Sequence, residues 1–344
     1  MGVGRVRSPL SQIVTLGLVA GYRLVIELHE RPRKSDRPKL RSVPIMGLTV
    51  ETPAAVVAAL ARAHDVALTA YTLREGGIRD ALVAAAARGA HVRVRLERDP
   101  LDDAAGTLHH ANDATIAALR AAGADAAETR PGEPTLHLKA AVIDGVGWLA
   151  DRNWAGEGPE RILRDTDADD VAAMASAVAG GPGSDGHLAT TKAGALRLEA
   201  DVIAHAGEGP LLVESESFGN GTVYDALLHR AEAGLPTRLI VAGREVAESP
   251  GGHEGQQLAR LAALGVAVRV GDPARGDLDE KLAVSARDAW VGSANATYAR
   301  SDFGAQRDWG LATRVPAVAD DLHAAFERNW AVARPLDGSN ERAT

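Results

Sequence analysis

The chain has 344 residues, 46% of them hydrophobic but only 3% aromatic, so it suits one large α/β unit or two packed lobes with a core of Ala, Val, Leu and Ile; it is neither disordered nor fibrous. It has no cysteine, which excludes disulfides, thiolate metal sites and a cysteine nucleophile. Its net charge of −8 is uneven: nine Lys/Arg against Glu27, Glu30 and Asp36 give residues 1–41 about +6 and leave about −14 for the rest, an acidic body that is a poor non-specific partner for nucleic acid.

Read in chain order, the first element is a basic stretch (Arg5, Arg7) before a short apolar run at 13–20, interrupted by Gly17, Gly21 and Arg23. No segment reaches the roughly 20 apolar residues of a spanning helix. Residues 1–48 read as a tail of a cytoplasmic protein, with export or a peripheral membrane contact left open. The cluster from Arg31 to Arg41 reads as a solvated linker, with contact to anionic lipid head groups as the alternative.

From there the chain repeats itself. The first half predicts a strand at 66–71, a helix at 78–88 closed by Gly89, a strand at 91–96, a helix at 111–122 closed by Gly123, paired strands at 137–143 and 147–150, and a helix at 167–178. GGPGSDG at 180–186 is the clearest linker. The second half predicts the same order: strand 211–216, helix 223–233 closed by Gly234, strand 238–242, helix 256–264 closed by Gly265, strands 281–285 and 289–291, and helix 318–329. Gly76, Asp80 and Gly89 align with Gly221, Asp225 and Gly234; Leu136, Lys139, Trp148 and Asn153 align with Leu278, Lys281, Trp290 and Asn295. The expected fold class is α/β, as two pseudo-repeated α/β/α lobes, 49–179 and 187–335, packed about a pseudo-two-fold that brings the equivalent strands together.

His137-Leu138-Lys139 followed after four residues by Asp144 is an H-x-K-x4-D pattern, and residues i and i+2 of a strand face one side, so His137 and Lys139 project together. With Gly292-Ser293-Ala294-Asn295 at the matching place in the second half, and with the repeat over roughly 50–335, the chain resembles the phospholipase D superfamily. The resemblance implies a phosphodiesterase or phosphatidyltransferase that works without a cofactor or metal, through a phosphohistidine on His137. Lys139, Asn153, Lys281, Ser293 and Asn295 would bind the phosphate oxygens, and a second histidine from the other lobe would handle the proton. This chain departs from that pattern. Asp279 stands where the second histidine belongs, Ala286 stands where the second aspartate belongs, and Ala150-Asp151 replaces Gly-Ser in the first half.

The second half-site has therefore kept its phosphate-binding residues and lost its proton-handling one. Its acid is left open between Asp279, grouped with His137, Lys139 and Asp144 as catalytic candidates, and a loop histidine among His253, His109 and His110; Asp144 reads as orienting the site and satisfying backbone donors more than doing chemistry, and Glu280 faces the other side of its strand. The expected substrate is a phosphodiester, phospholipid before nucleic acid because aromatics for base stacking are scarce. The expected state is a monomer. The alternative is a degenerate relative that binds a phosphate-containing ligand without turnover.

Overall fold

Val-, Leu- and Ala-rich runs bounded by glycines become two sheets of one plan. The computed structural model describes residues 47–102, 106–154, 161–184, 186–244, 246, 249, 251–272, 278–297 and 306–336; the basic segment 1–46 lies outside the described residues. Ser42–Thr344 forms one compact unit.

The first half runs β1 (Thr49–Glu51), α1 (Pro53–Leu60), β2 (Asp65–Ala70), α2 (Gly77–Ala87), β3 (His91–Leu96), a short ribbon β4 (Leu101–Asp102) and β5 (Gly106–Thr107), α3 (Asp113–Ala121), β6 (Asp125–Glu128), β7 (Ala140–Ile143), β8 (Val146–Ala150), β9 (Ile162–Asp165) and α4 (Ala168–Val178). The second runs β10 (Leu188–Ala189), α5 (Lys192–His205), β11 (Leu211–Ser215), α6 (Thr222–Glu232), β12 (Thr237–Val241), α7 (His253–Ala263), β13 (Ala267–Val270), β14 (Leu282–Val284), β15 (Ala289–Gly292), β16 (Gly310–Thr313), α8 (Pro316–Val332) and β17 (Arg334–Pro335).

The first sheet has the order β1-β9-β8-β7-β2-β3-β6 and the second β10-β16-β15-β14-β11-β12-β13-β17. In both, three parallel strands (β2, β3, β6; β11, β12, β13) continue into an antiparallel meander (β7, β8, β9; β14, β15, β16). The match extends to the backbone: Gly76 and Gly221, which precede α2 and α6, have φ of 155° and 153°. The predicted terminators Gly89 and Gly234 take φ of +90° and +68°, a region costly for any residue with a Cβ. The repeat also reaches further back than the aligned sequence: β1 and α1 find counterparts in β10 and α5, neither of which the hydrophobic pattern predicts.

Strand alternation places the core. Val66, Leu68 and Ala70 of β2, with Ala141, Ile143, Trp148 and Ala150, face Val56, Leu60, Leu82, Ile116 and Leu119 of α1, α2 and α3. The residues between them, Ala140, Leu149 and Leu163, point the opposite way, into a second core shared with Leu282, Val284, Val291, Trp309 and Leu311 of the other sheet and with Met174 of α4 and Leu322 and Phe326 of α8. The meanders of the two sheets thus face each other across one apolar interior. Close approach is built in: a Cβ on Gly147 would lie 2.0 Å from the Met174 side chain, and one on Gly310 2.7 Å from Ala195 Cβ. Among the described residues no helix is long and apolar enough to cross a membrane.

Candidate active site

The predicted strand beginning at His137 starts instead at Ala140, but the residues ahead of it are held extended. Leu136 bridges Arg307, His137 N donates to Arg307 O (2.9 Å), and Ala150 N donates to Lys139 O (3.0 Å). In the other lobe Gly292 N donates to Lys281 O (3.2 Å) in the same way. His137 and Lys139 do share a side, with Lys139 Nζ 2.7 Å from His137 Nε2.

His137 is tied across the lobes. Its Nδ1 lies 2.7 Å from Asp308 Oδ1, which also accepts from Ser293 Oγ (2.9 Å). Asp308 is fully buried; His137, Lys139 and Lys192 around it hold its carboxyl below the usual value against burial, so Nδ1 carries the proton and Nε2 keeps the free lone pair. Burial, then the neighbouring Lys139, push the His137 imidazole below its ordinary 6.5. Burial and Lys281 bring Lys139 down to about 7. The Tyr71 ring packs edge-on against the imidazole at 4.8 Å, with Lys139 Nζ 5.6 Å from its centroid.

Across the pseudo-axis Lys281 is as buried as Lys139 and sits 2.8 Å from Glu216 Oε2, with a second bond to Asp279 O (2.8 Å). Lys281 drives the Glu216 carboxyl down to about 2. Asp279, at the position of the second histidine, is ion-paired with Arg152 at 2.7 Å. Burial raises its pKa above the ordinary carboxylate value, and the pull of Arg152 and Lys281 offsets only part of that rise. Glu280 does face away, as its alternation predicts, into a buried network: Arg161 bonds Glu280 Oε2 (2.5 Å), Asp151 Oδ2 (3.1 Å) and Asp321 Oδ2 (2.5 Å). The side-chain oxygens of Asn153 and Asn295 are buried without a partner.

Two parts of the sequence reading need correction. Asp144, grouped with the catalytic residues, lies at the other end of β7, roughly 15 Å along the strand from Lys139. It takes φ +47° in the β7–β8 turn, and its carboxylate accepts from Asp65 N (2.8 Å) and His64 N (3.0 Å), which holds its pKa down. The motif's aspartate does satisfy backbone donors, as its sequence reading expects, and so fastens β2 to β7; what is corrected is its place, since it does not touch the substrate end. Asp144→Asn, which keeps an acceptor and tolerates this backbone, is therefore expected to leave turnover within about two-fold and to cost about 1 kcal/mol; parallel rate and urea-unfolding measurements check this. The loop histidines are engaged elsewhere: His109 with Asp99, His110 with Asp113, and His253 with Gln257.

Sequence reasoning missed Asp308, Glu216, Tyr71 and Arg161. The repeat carried a signal for two of them, since Tyr71 and Glu216 occupy equivalent places just after β2 and β11.

As a sequence the chain matches no family model and no curated protein. As a structure it is similar to a phosphatidylserine synthase from Haemophilus influenzae, with a TM-score of 0.61 at 13% identity over 88% of this chain and 92% of that one. The chain has the phospholipase D fold. A polyphosphate kinase from Porphyromonas gingivalis also aligns, with a TM-score of 0.56 at 16% identity over 83% of this chain; this chain spans 47% of the kinase. The phospholipase D fold accounts for the facing meanders and for the meeting of Lys139 with its repeat counterpart Lys281. At these identities the likeness speaks to the fold alone.

Proposed function

We propose that the chain hydrolyses or transfers the phosphoryl group of a phosphodiester through a phosphohistidine on His137. The observation that carries this is the 2.7 Å contact of Nδ1 with the buried Asp308 carboxylate: an ionised carboxylate only accepts, so Nδ1 bears the hydrogen and Nε2 presents a lone pair toward the Lys139 ammonium. An arriving phosphate draws that ammonium, with Lys281, onto its non-bridging oxygens and frees Nε2. Nε2 then attacks phosphorus, the bond to the leaving oxygen breaks, and water or an acceptor alcohol displaces the histidine in a second step. A phospholipid diester suits the acidic body and the scarcity of aromatics better than nucleic acid, and the phosphatidylserine synthase likeness agrees with it.

The acid is the weak point of this site. Burial favours a protonated Asp279, but its carboxyl is engaged by Arg152 and has to leave that partner before it can donate to the leaving oxygen. A diester whose leaving group departs as a stable anion is therefore expected to react about 10²–10⁴ times faster than one leaving as an alkoxide, the range a general acid ordinarily supplies. Rates on an aryl and an alkyl phosphodiester of equal charge test this; equal rates would mean that an efficient acid is present. The Asp279–Arg152 pair also favours a second reading, binding of a phosphodiester without turnover. Calorimetric titration beside mass analysis of His137 separates the two, because binding with no phosphate on His137 supports the second reading.

A further inference from the structure

At the end of the first sheet away from His137, the turn from β9 into α4 gathers three carboxylates. Asp165 closes β9; Asp167 caps α4, accepting from Asp169 N (3.0 Å) and Asp170 N (3.3 Å); Asp170 lies in the first turn. His187, just ahead of β10, returns to this corner from the second half. Its Nε2 lies 2.6 Å from Asp170 Oδ2, and its carbonyl accepts from Ala312 N (3.0 Å). One ligand atom from each of Asp167, Asp170 and His187 fall within 4.8 Å of one another.

A fourth group decides what this corner is for. Asp165 is fully buried; its Oδ1 accepts from Asp167 N (2.8 Å), but its Oδ2 has no hydrogen-bond donor and is turned toward the Asp170 carboxyl, another acceptor. The groups that weigh most on Asp165 and His187 are the carboxylates of this corner, with no Lys or Arg among them. Buried acceptors that face each other this way hold either a proton or a cation between them. The imidazole nitrogen of His187 on Asp170 adds a ligand that a proton shared between the carboxyls does not need.

We propose that Asp167, Asp170 and His187 bind one first-row divalent cation through two carboxylate oxygens and one imidazole nitrogen, with the buried Asp165 carboxyl beside Asp170 backing the site. That donor set suits Mn²⁺ or Zn²⁺. Ligand distances of about 2.0–2.2 Å require the 2.6 Å contact between His187 and Asp170 to open as the ion enters. The cation pins the start of the second lobe to α4 of the first. It plays no part in the chemistry: Ala312, which holds His187, is four residues from Asp308, which holds His137, roughly 13 Å along extended chain. The proposal is independent of the activity proposed above.

The test uses the full chain, stripped with a chelator and titrated with Mn²⁺ or Zn²⁺, while the ion bound per chain and the unfolding temperature are followed. One ion per chain is expected, with an unfolding temperature that climbs by several degrees as free cation rises. Asp170→Asn and His187→Gln are each expected to abolish this rise. Asp170→Asn supplies an amide donor to Asp165, so the stripped variant is expected to unfold no earlier than the stripped parent, which separates lost binding from lost folding. A parent chain that takes up no ion and shows no shift at saturating Mn²⁺ and Zn²⁺ overturns the proposal in favour of a shared proton. Undiminished binding in both variants overturns it by placing the ion elsewhere.

Discussion

His137→Ala is expected to lower phosphodiester turnover by about 10⁵-fold, close to 7 kcal/mol of transition-state stabilisation, and to abolish any phosphoenzyme. The expectation follows from Nε2 being an uncharged nucleophile that lies against Lys139 and within the field of Lys281. Asp308→Asn tests the same idea without touching the nucleophile. The neutral amide can donate to Nδ1 and turn the imidazole to the wrong tautomer, so kcat is expected to fall about 10²–10⁴-fold with KM little changed.

The pH dependence carries a matching signature. kcat/KM is expected to rise as His137 loses its proton, below the ordinary 6.5 because burial and Lys139 hold it down, and to fall as Lys139 loses its charge near 7. The profile is a narrow bell. Lys139→Arg, whose charge does not titrate, is expected to remove the alkaline limb. A variant lacking His137 that still turns over at the parent rate rejects the covalent route outright.

What could be read from the chain depended on whether its signal was local. His137, Lys139, Lys281 and Ser293 announce themselves by spacing, and the structure brings them together through direct contacts and through Asp308. Asp144 belongs to the same motif string, but a strand has two ends, and the spacing alone does not say that its aspartate works at the far one. Asp308 sits in Arg-Asp-Trp-Gly with no periodic neighbour to mark it; only the facing of the meanders delivers it to His137. The helices α1 and α5 escaped for a different reason. α1 is apolar all round, and α5 buries residues on much of its circumference, Glu199 included, so neither shows the one-sided stripe that reveals a helix.

Arg161→Met is expected to be the most destabilising single change outside the apolar core. Arg161 and Asp151 take the places in the first lobe that Trp309 and Ser293 hold in the second; in both pairs the backbone N–H of the one residue meets the carbonyl of the other, Asp151 N to Arg161 O and Ser293 N to Trp309 O. Glu280 takes the place of Leu138. Where the intact half-site rests on apolar packing, the eroded one rests on a guanidinium that answers two carboxylates of 2% and 4% exposure. Removing it leaves Glu280 only the 3.6 Å contact with Arg152 and Asp151 only the backbone N–H of residue 161, at a cost of about 3 kcal/mol, read as a fall in the denaturant midpoint.

The corner is rich in acid even with Arg161 present. Burial and Glu280 push Asp151 up to about 8, and burial pushes Glu214 up to about 8. A carboxyl whose pKa is higher folded than unfolded binds more protons in the native state, so its contribution to stability is full below its unfolded value of about 4 and is lost as pH rises toward 8. The parent is expected to lose stability over that window, and Arg161→Met more steeply, since its stranded carboxyls must take up protons to stay buried. Adding Glu280→Leu, the residue the other lobe carries at that position, is expected to restore part of the loss and flatten the slope. If the double variant is no more stable than Arg161→Met alone, the cost lies in lost packing of the arginine stem and not in the stranded charge.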